Sequence, residues 1–306
     1  ENQINGLTKM LDSSGKKKEL PPINGDFYEL HLKLTDEQRA IQLKVREFME
    51  KEAKPLVNDY WLHDDFPHEL IPKFKKLNLC GVTYDGYGCP NLPFLMEGII
   101  AMEIARVDAS LATFFGVQSG LSMGSIYMCG SEEQKQKYLP GMQQFDLIGA
   151  FGLTEPEVGS GAAGGLTTTC KKVEGGWILN GQKKWIGNAT FADVIIIWAR
   201  DVDDNQVKGF IVEKNTPGFS VEKIRGKMAL RIVQNGLITM TECFIADSQK
   251  MDHANSFKDT AKVLQMTRAG VAWMATGCAR GAYESALDYT RKREQFGKPI
   301  ASFQLI

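Results

Sequence analysis

The spacing of apolar residues predicts helices across residues 35–150. A Thr-Asp-Glu-Gln sequence at Thr35–Gln38 has the form of a capping box, in which the cap hydroxyl accepts a backbone amide and the glutamine side chain returns to the cap. Behind it, apolar residues recur at helical intervals as far as Met49. We expect this helix to end at Pro55, because proline lacks the amide hydrogen that a helix interior needs.

Three further helices are expected in the same part of the chain. A second capping box lies at Ser131–Gln134, and we expect Pro140 to stop the short helix behind it. Between the two boxes lie the apolar stretches Met96–Ile104 and Leu111–Cys129, which are rich in alanine, glycine, serine and methionine. Small residues of this kind suit closely packed helices.

From residue 151 to about 250 the apolar period changes to two, which is typical of strands. Asn180-Gly181 between two apolar runs predicts a two-residue hairpin, and Gly175-Gly176 predicts a turn just before it. Val194–Arg200, Gly209–Glu213 and Leu237–Ile245 are further expected strands. The pattern indicates a small β domain inserted in a helical protein.

A helical period returns from Phe257 to Arg293, followed by an expected turn at Gly297 and Pro299. The sequence therefore predicts an α+β fold with a flexible leader at 1–25, a helical domain at 26–150, a middle β domain at 151–255 and the start of a helical bundle at 256–306. After this long helix the sequence contains only the beginning of one further apolar segment that could pack against it. We therefore expect a C-terminal truncation or a second chain that completes the packing. A targeting remnant is the alternative for the leader.

Composition narrows the possible functions. The 306 residues carry 36 basic and 37 acidic side chains, a formal net charge of −1, which argues against binding nucleic acid through phosphate electrostatics. No apolar run approaches the roughly 18 residues of a membrane-spanning helix. The six cysteines are scattered without a CxxC pair, so we expect free thiols in a reducing compartment. The four histidines lack metal-ligand spacing, and a zinc site is not expected.

One glycine-rich segment, Gly159–Gly164, matches the GxGxxG pattern of nicotinamide-binding folds. That fingerprint requires a hydrophobic strand before it, a helix after it and an acidic residue about 20 positions further on. The chain has Thr154–Glu157 before the glycines, and Lys183-Lys184 stands where the acid belongs. We therefore prefer a loop whose backbone amides face a ligand phosphate, with a plain flexible loop as the alternative.

Several motifs together suggest a different assignment. These motifs are Phe151–Pro156, Gly159-Ser160, Asn180–Ile186, Arg293–Pro299 and Gln304. In their order and spacing, over about 270 residues of the chain, they resemble the acyl-CoA dehydrogenase and oxidase superfamily. Within it, the chain most resembles the branch that holds glutaryl-CoA dehydrogenase and the plant peroxisomal short-chain acyl-CoA oxidase, and Arg231–Gly236 and Trp185–Asn188 look especially like the plant oxidase.

This resemblance implies an N-terminal helical domain, a middle β domain and a C-terminal four-helix bundle with FAD between them. It also implies an enzyme that removes an α-proton and a β-hydride from an acyl-CoA thioester, leaving a trans-2-enoyl-CoA. In the family a carboxylate takes the proton, flavin N5 takes the hydride, and hydrogen bonds to the thioester carbonyl stabilise the developing enolate. Homotetramers are the family's usual assembly.

The resemblance also implies site residues. The positions that match the flavin-contacting loop and the ring-flanking strand end are Phe151, Leu153, Thr154, Gly159, Ser160, Trp185, Ile186 and Gly187. Arg293 and Gln304 match positions that reach the flavin of a neighbouring subunit, and Ser160 and Arg268 match contacts to the substrate. Taken singly, Trp185 would be a core aromatic, Arg293 a solvated charge and Arg268 an ion-pair residue.

Departures from the family pattern affect catalysis. Gly161 replaces a frequent aspartate, and Thr267 stands at an alternative position of the catalytic base, where it cannot act as one. The usual glutamate would lie beyond Ile306, so no catalytic residue is identified and the 306-residue chain is expected to be inactive. A non-catalytic family member with an assembly role is the alternative, and a nicotinamide-dependent dehydrogenase ranks far below.

Three positions suggest the substrate and the electron acceptor. Ala112 and Gly116 stand where glutaryl-CoA dehydrogenases have an arginine and a serine near the distal carboxylate, so a neutral short acyl chain is expected. Gly187 replaces the dehydrogenases' usual threonine, which favours an oxidase that uses O2 in the peroxisome. Electron-transferring flavoprotein in the mitochondrial matrix is the alternative acceptor. For Gly187 itself, the alternative is that it only relaxes the strand end, since glycine also suits unusual backbone angles.

Overall fold

The computed structural model describes residues 22–306, so the predicted leader lies almost entirely outside the described residues. Within them the chain forms two compact units. One comprises residues 36–278, and the other combines residues 22–35 with residues 279–306. Among the described residues, no helix is long and apolar enough to cross a membrane.

The larger unit begins with helices, as predicted. The first three are α1 (Asp36–Phe48), α2 (Lys54–His63) and α3 (Ile71–Leu77). A π-helical turn, Met49–Ala53, joins α1 to α2, so the chain stays helical past Pro55. The prediction that Pro55 ends the helix is wrong, because the proline lies in the first turn of α2, where no amide hydrogen is required.

Four more helices complete this region, in the order α4 (Phe94–Ala105), α5 (Ala109–Gly116), α6 (Met123–Cys129) and α7 (Glu132–Gln143). A π-helical turn, Val117–Ser122, joins α5 to α6. The predicted second capping box is confirmed, with both reciprocal bonds between Ser131 and Gln134 present. Pro140 lies inside α7 and does not stop it, since the helix continues to Gln143.

The predicted middle β region is confirmed as a seven-stranded mixed sheet. Its strands are β1 (Gly149–Gly152), β2 (Thr169–Val173), β3 (Gly176–Ile186), β4 (Val194–Asp201), β5 (Val207–Glu213), β6 (Phe219–Lys223) and β7 (Gly236–Ala246). The order is β1-β4-β2-β3-β7-β6, with β5 paired to β4. A short helix, α8 (Ala162–Gly165), precedes β2. The apolar strand core includes Ile195, Ile197 and Phe210.

The predicted Asn180-Gly181 hairpin is wrong. β3 runs through both residues, and the pairing of β3 with β7 shifts register between Leu179 and Gly181, which marks a β-bulge. Asn180 is held there because its side chain accepts the Glu242 amide and donates to the Glu242 carboxylate. The turn predicted at Gly175-Gly176 is found, with Gly175 at a φ of 71° between β2 and β3.

The predicted long helix is confirmed as α9 (Phe257–Lys292). Within the larger unit it approaches α4 closely at two glycines. A Cβ added to Gly98 would lie 2.4 Å from the Trp273 ring, and one added to Gly277 would lie 2.3 Å from the Met102 carbonyl oxygen. These two positions therefore let the backbones of α4 and α9 come together without a side chain between them.

The smaller unit has its own contacts. Asp26 accepts the backbone amide of Leu30 at 3.0 Å and pairs with His31 Nδ1 at 2.8 Å. The Gly25 amide donates to the Glu284 carboxylate at 3.1 Å. After α9 the predicted turn at Gly297 is found, with a φ of 73° between the two-residue strands β8 (Glu294–Gln295) and β9 (Lys298–Pro299).

Candidate functional site

Three helical segments of the larger unit surround a cavity of about 470 Å³. The α9 residues that line it recur at helical intervals: Thr267, Gly270, Val271, Met274, Ala275 and Cys278. The segment from α5 into the following π turn contributes a second helical series that includes Ala109, Ala112, Thr113, Gly116, Val117 and Gly120. Glu97 and Ala101 line it from α4. A cavity of this size and mostly apolar wall is typical of small-molecule sites.

The wall is shaped by small residues. Ala112 and Gly116, which the sequence predicts to replace a glutarate-binding arginine and serine, both line the cavity. Gly120 lies at a crowded point of the wall, where an added Cβ would lie 3.2 Å from Thr267 Cγ2 and 3.7 Å from Glu97 Oε1. Thr267 and the Glu97 carboxyl group therefore converge on the same part of the cavity.

The predicted flavin-contacting loop, which follows β1, lies next to the end of β3. The Lys184 amide donates to the Thr154 carbonyl at 2.8 Å, which places the residues after β1 next to the end of β3. The Thr154 hydroxyl makes no hydrogen bond among residues 22–306. Phe151 and Leu153 are buried, whereas Gly159 and Ser160 are exposed, and an added Cβ on Gly159 or Gly161 would meet no atom within 4 Å.

A buried ion pair holds this loop. Lys183 Nζ donates to Glu155 Oε1 at 2.8 Å and to the Leu153 carbonyl at 3.1 Å, and neither charged side chain is more than 1% exposed. The other Glu155 oxygen accepts the amide and hydroxyl of Thr167, both at 2.7 Å, and Oε1 also accepts the Thr168 amide at 2.9 Å. The carboxylate thus ties together both ends of the glycine-rich segment.

The protonation of this pair follows from its surroundings. Burial alone raises the pKa of Glu155, but Lys183 and the Thr167 donors outweigh it and bring the pKa to about 2. Burial lowers the pKa of Lys183 to about 8, and the charge of Glu155 only partly offsets this. Both groups are therefore ionised in mildly acidic to neutral solution.

Trp185 leaves the regular strand geometry. Its φ is 64°, in the left-handed region that side-chain-bearing residues seldom occupy, and its side chain is 51% exposed. The β3–β7 register shifts between Lys183 and Ile186, and Asn235 Nδ2 fixes the Trp185 carbonyl at 2.9 Å. The indole is thus presented as a flat apolar surface at a strained backbone position, an arrangement that is common at ligand sites.

Gly187 connects this strand end with the cavity. It is buried, and an added Cβ would lie 3.4 Å from Cγ2 of Val117, a residue of the cavity wall, and 3.5 Å from Val233 Cγ1. The left-handed backbone angles fall on Trp185 and on Asn188, at 65°, and not on Gly187. Gly187 therefore has no left-handed backbone angle that would require glycine, and the alternative that it only relaxes the strand end stays open.

The remaining predicted residues lie elsewhere. Arg268 is exposed on α9 and does not belong to the cavity wall, although its neighbour Thr267 does. In the smaller unit, Arg293 follows the end of α9 and its amide donates to the Tyr289 carbonyl at 2.8 Å. Gln304 is exposed near the end of the chain. The roles assigned to these three residues stay predictions.

Three residues of the site were missed by the sequence reasoning. Glu155 and Lys183 both lie inside motifs that were recognised, but nothing in the order of residues shows that they pair. Glu97 lies in an apolar helical stretch, where its charge among hydrophobic neighbours is the one available signal. Burial raises its pKa to about 7, and it has no hydrogen bond or ion pair in the described part of the chain.

Comparisons with known proteins give a consistent result. Three models of the acyl-CoA dehydrogenase family match the chain. The model of the N-terminal domain matches residues 35–146, that of the middle domain residues 150–243 and that of the C-terminal domain residues 257–306. The chain is 36% identical over 285 residues to an acyl-CoA dehydrogenase of Bacillus subtilis (strain 168), covering 89% of this chain and 73% of that protein. It is 31% identical over 286 residues to the mitochondrial 2-methylacyl-CoA dehydrogenase of Solanum tuberosum, covering 91% and 69%.

A solved structure agrees with these relatives. The glutaryl-CoA dehydrogenase from Mycobacterium smegmatis in complex with FADH2 superposes with a TM-score of 0.87 at 35% identity, covering 92% of this chain and 72% of that one. The three matched segments follow the predicted sequence of helical, β and helical regions. The chain belongs to the acyl-CoA dehydrogenase family of oxidoreductases, as its motifs predicted.

Proposed function

We propose that this protein binds FAD and desaturates neutral short- or branched-chain acyl-CoA thioesters between the α and β carbons, giving a trans-2-enoyl-CoA. The observation that carries the proposal is the position of Gly187 next to Val117, where an added Cβ would lie 3.4 Å from Val117 Cγ2, because it puts the predicted flavin-flanking segment beside the apolar cavity. The solved relative with FADH2 supports the choice of cofactor. A thioester whose acyl chain occupied the cavity would have its α and β carbons beside that segment.

The residues present fit a flavin. The exposed Trp185 indole offers a flat surface for an aromatic ring system, and Thr154 and Ser160 offer hydroxyl groups without partners among the described residues. Gly159 and Gly161 leave their surroundings open, so backbone amides can approach a ligand closely. Phe151, Leu153, Ile186 and Gly187 complete this proposed set, together with Arg293 and Gln304 from a neighbouring subunit. The chemistry that FAD supplies when bound is acceptance of the β-hydride.

The chain's own residues position and shield the reacting carbons. The Glu155–Lys183 pair fixes the loop that carries Thr154, and Asn235 fixes the carbonyl of Trp185. The apolar wall excludes water from the acyl chain, which favours proton removal next to a thioester carbonyl over side reactions. We keep Ser160 and Arg268 as proposed contacts to the CoA thioester.

The substrate class follows from the wall of the cavity. Ala112 and Gly116 have no charged group, so the distal carboxylate of a glutaryl chain would lack a cationic partner there. A butyryl or 2-methylbutyryl chain has no such requirement. The wall therefore supports neutral acyl groups, and the volume leaves room for a branch.

The proposal is tested with the complete protein by following the bleaching of flavin absorbance and the formation of enoyl-CoA by mass spectrometry. Butyryl-CoA and 2-methylbutyryl-CoA are expected to react and glutaryl-CoA to react poorly. A purified protein that binds no flavin, or one that binds flavin but bleaches with none of these thioesters, would refute the proposal.

We also propose O2 as the electron acceptor, which would place the enzyme in the peroxisome and make it an oxidase. The Gly187 position supports this, because an added Cβ would make only ordinary contacts and the backbone has no left-handed angle that requires glycine. The Gly187→Thr variant is expected to consume O2 at least about tenfold more slowly while its anaerobic bleaching with butyryl-CoA is little changed. Equal O2 consumption, or rapid discharge only to electron-transferring flavoprotein, would instead favour a dehydrogenase of the mitochondrial matrix. A homotetramer is the proposed assembly, and light scattering measures it.

A further inference from the structure

Glu97 is the one carboxyl group among the residues that line the cavity, as far as the chain is described. The remaining wall is apolar apart from Thr113, Ser119 and Thr267, and it includes no lysine, arginine or histidine. Oε1 of Glu97 comes within 3.7 Å of the position that a side chain on Gly120 would occupy. Because Gly120 has no side chain, nothing at that point separates the carboxyl group from the cavity.

No neighbouring group neutralises this carboxyl. Glu97 has no ion pair or hydrogen bond within residues 22–306. The Tyr84 hydroxyl does not serve Glu97, because it donates to the carbonyls of Ser119 at 2.9 Å and Gly120 at 3.3 Å. Glu97 is half-buried, and unlike the fully buried Glu155 it has no protein donor among residues 22–306. The lack of donors at Glu97 indicates that its position serves the contents of the cavity.

On this basis, and resting on the proposed function, we infer that Glu97 is a specificity-determining residue that excludes acyl groups with a distal negative charge. Two negative charges in one apolar cavity repel each other strongly, because little water is present to screen them. A neutral acyl chain meets no such repulsion. Selection against dicarboxylic acyl groups would then come from an active repulsive group, in addition to the lack of a cationic partner at Ala112 and Gly116.

The selection depends on pH in a defined direction. Burial raises the pKa of Glu97 to about 7, so the group is largely neutral near pH 6 and largely charged near pH 8.5. A distal carboxylate on a ligand, with an ordinary pKa of about 4.5, is charged at both values. Discrimination against the anionic ligand should therefore grow as the pH rises. A variant without the carboxyl group should lack most of this rise in discrimination.

Other titratable groups on the surrounding elements do not supply the same behaviour. They are Tyr84, Cys80 and Cys89 on the segment before α4, Asp108 at the start of α5, and Arg268 and Cys278 on α9. Burial raises the pKa of Tyr84 well above its usual value, so it stays neutral. Asp108 caps α5 by accepting the Leu111 amide. Arg268 is exposed and outside the cavity wall.

The test compares two unreactive thioethers, S-butyl-CoA and S-(3-carboxypropyl)-CoA, by titration calorimetry on the complete flavin-loaded protein. The ratio of their dissociation constants is measured near pH 6 and near pH 8.5. Effects of the CoA phosphates cancel in this ratio because both ligands carry them. For the wild-type protein the ratio is expected to rise with pH by on the order of 10-fold and by no more than about 30-fold, because the anionic ligand can still bind the small fraction of protein in which Glu97 is protonated.

The isosteric Glu97→Gln variant is expected to lose most of this rise, and the Glu174→Gln variant controls for a change of net charge at an exposed turn residue. An unchanged pH profile in Glu97→Gln, or a flat profile in the wild-type protein, would overturn the inference. If Glu97→Gln does not fold, the wild-type profile alone still decides. Failure of both thioethers to bind would instead refute the proposed function.

Discussion

Replacing Lys183 with methionine should destabilise the larger unit severely. The substitution keeps the length of the side chain but removes the Lys183 cation that pairs with the buried Glu155 carboxylate. Glu155 would keep three donors, the Thr167 amide, the Thr167 hydroxyl and the Thr168 amide. Removing one partner of a buried ion pair typically costs about 3–5 kcal/mol, because the other charge is left uncompensated.

The pKa of Glu155 reports the combined effect of burial, Lys183 and the Thr167 donors on this carboxylate. Lowering the pKa from 4.5 to about 2 on folding corresponds to on the order of 3 kcal/mol. Because the folded-state pKa is the lower one, this stabilisation is fully present above pH 4.5 and is lost as the pH falls toward 2. The expected loss in Lys183→Met is about 3 kcal/mol or more near neutral pH, because the substitution leaves the charge of Glu155 buried without its cationic partner.

Urea unfolding followed by tryptophan fluorescence at about pH 6.5, where both groups are ionised, measures the change in the free energy of unfolding. The exposed Lys51–Glu47 pair provides the control, and Lys51→Met should cost far less, because an exposed ion pair contributes little to stability. The double variant Lys183→Met/Glu155→Gln should recover part of the loss, since it leaves no buried charge. A Lys183→Met variant that is no less stable than Lys51→Met would refute the reasoning.

Two further predictions concern backbone positions. Gly98→Ala should lower the free energy of unfolding by about 1–3 kcal/mol, because its Cβ would overlap the Trp273 ring. The control is Gly270→Ala, in the same helix as Trp273, which has open space and should be neutral or stabilising. Equal effects of the two substitutions in urea unfolding would contradict this prediction. Asn188→Ala should lower the free energy of unfolding by about 1–3 kcal/mol, because it loses the hydrogen bond to the Gly149 carbonyl at 3.1 Å and keeps a φ of 65°. Asn188→Gly should lower it less, because glycine adopts this backbone angle without strain. The reverse order in urea unfolding would exclude backbone strain as the explanation.

Local signals in the sequence predicted most elements of this fold. The capping box at Ser131 and the apolar period of α9 depend on neighbours within one or two helical turns, so the structure confirms both. Pro55 and Pro140 show where such signals fail, since a proline can be accommodated in a first turn or inside a helix. Asn180-Gly181 fails for a related reason, because Glu242 on a distant strand supplies the bonds that hold a bulge there.

The candidate site was predictable only in part. Motif similarity located Thr154 and Trp185, which the structure brings together through the hydrogen bond between the Lys184 amide and the Thr154 carbonyl. It did not show that Glu155 and Lys183 pair, because their 28-residue separation carries no periodic signal. Contacts of this kind arise from the folding of the sheet and are absent from the local pattern.

The position of Glu97 illustrates how packing can create specificity. Gly98 allows α4 to approach the Trp273 side of α9, and its neighbour Glu97 is rotated by about 100° around the helix, toward the cavity. Gly120 then leaves the space into which the Glu97 carboxyl group projects. A larger residue at position 98 would push α9 away and open a route for water to the carboxyl group, which would weaken its repulsion of anionic ligands. The discrimination inferred for Glu97 therefore depends on two glycines that carry no charge themselves.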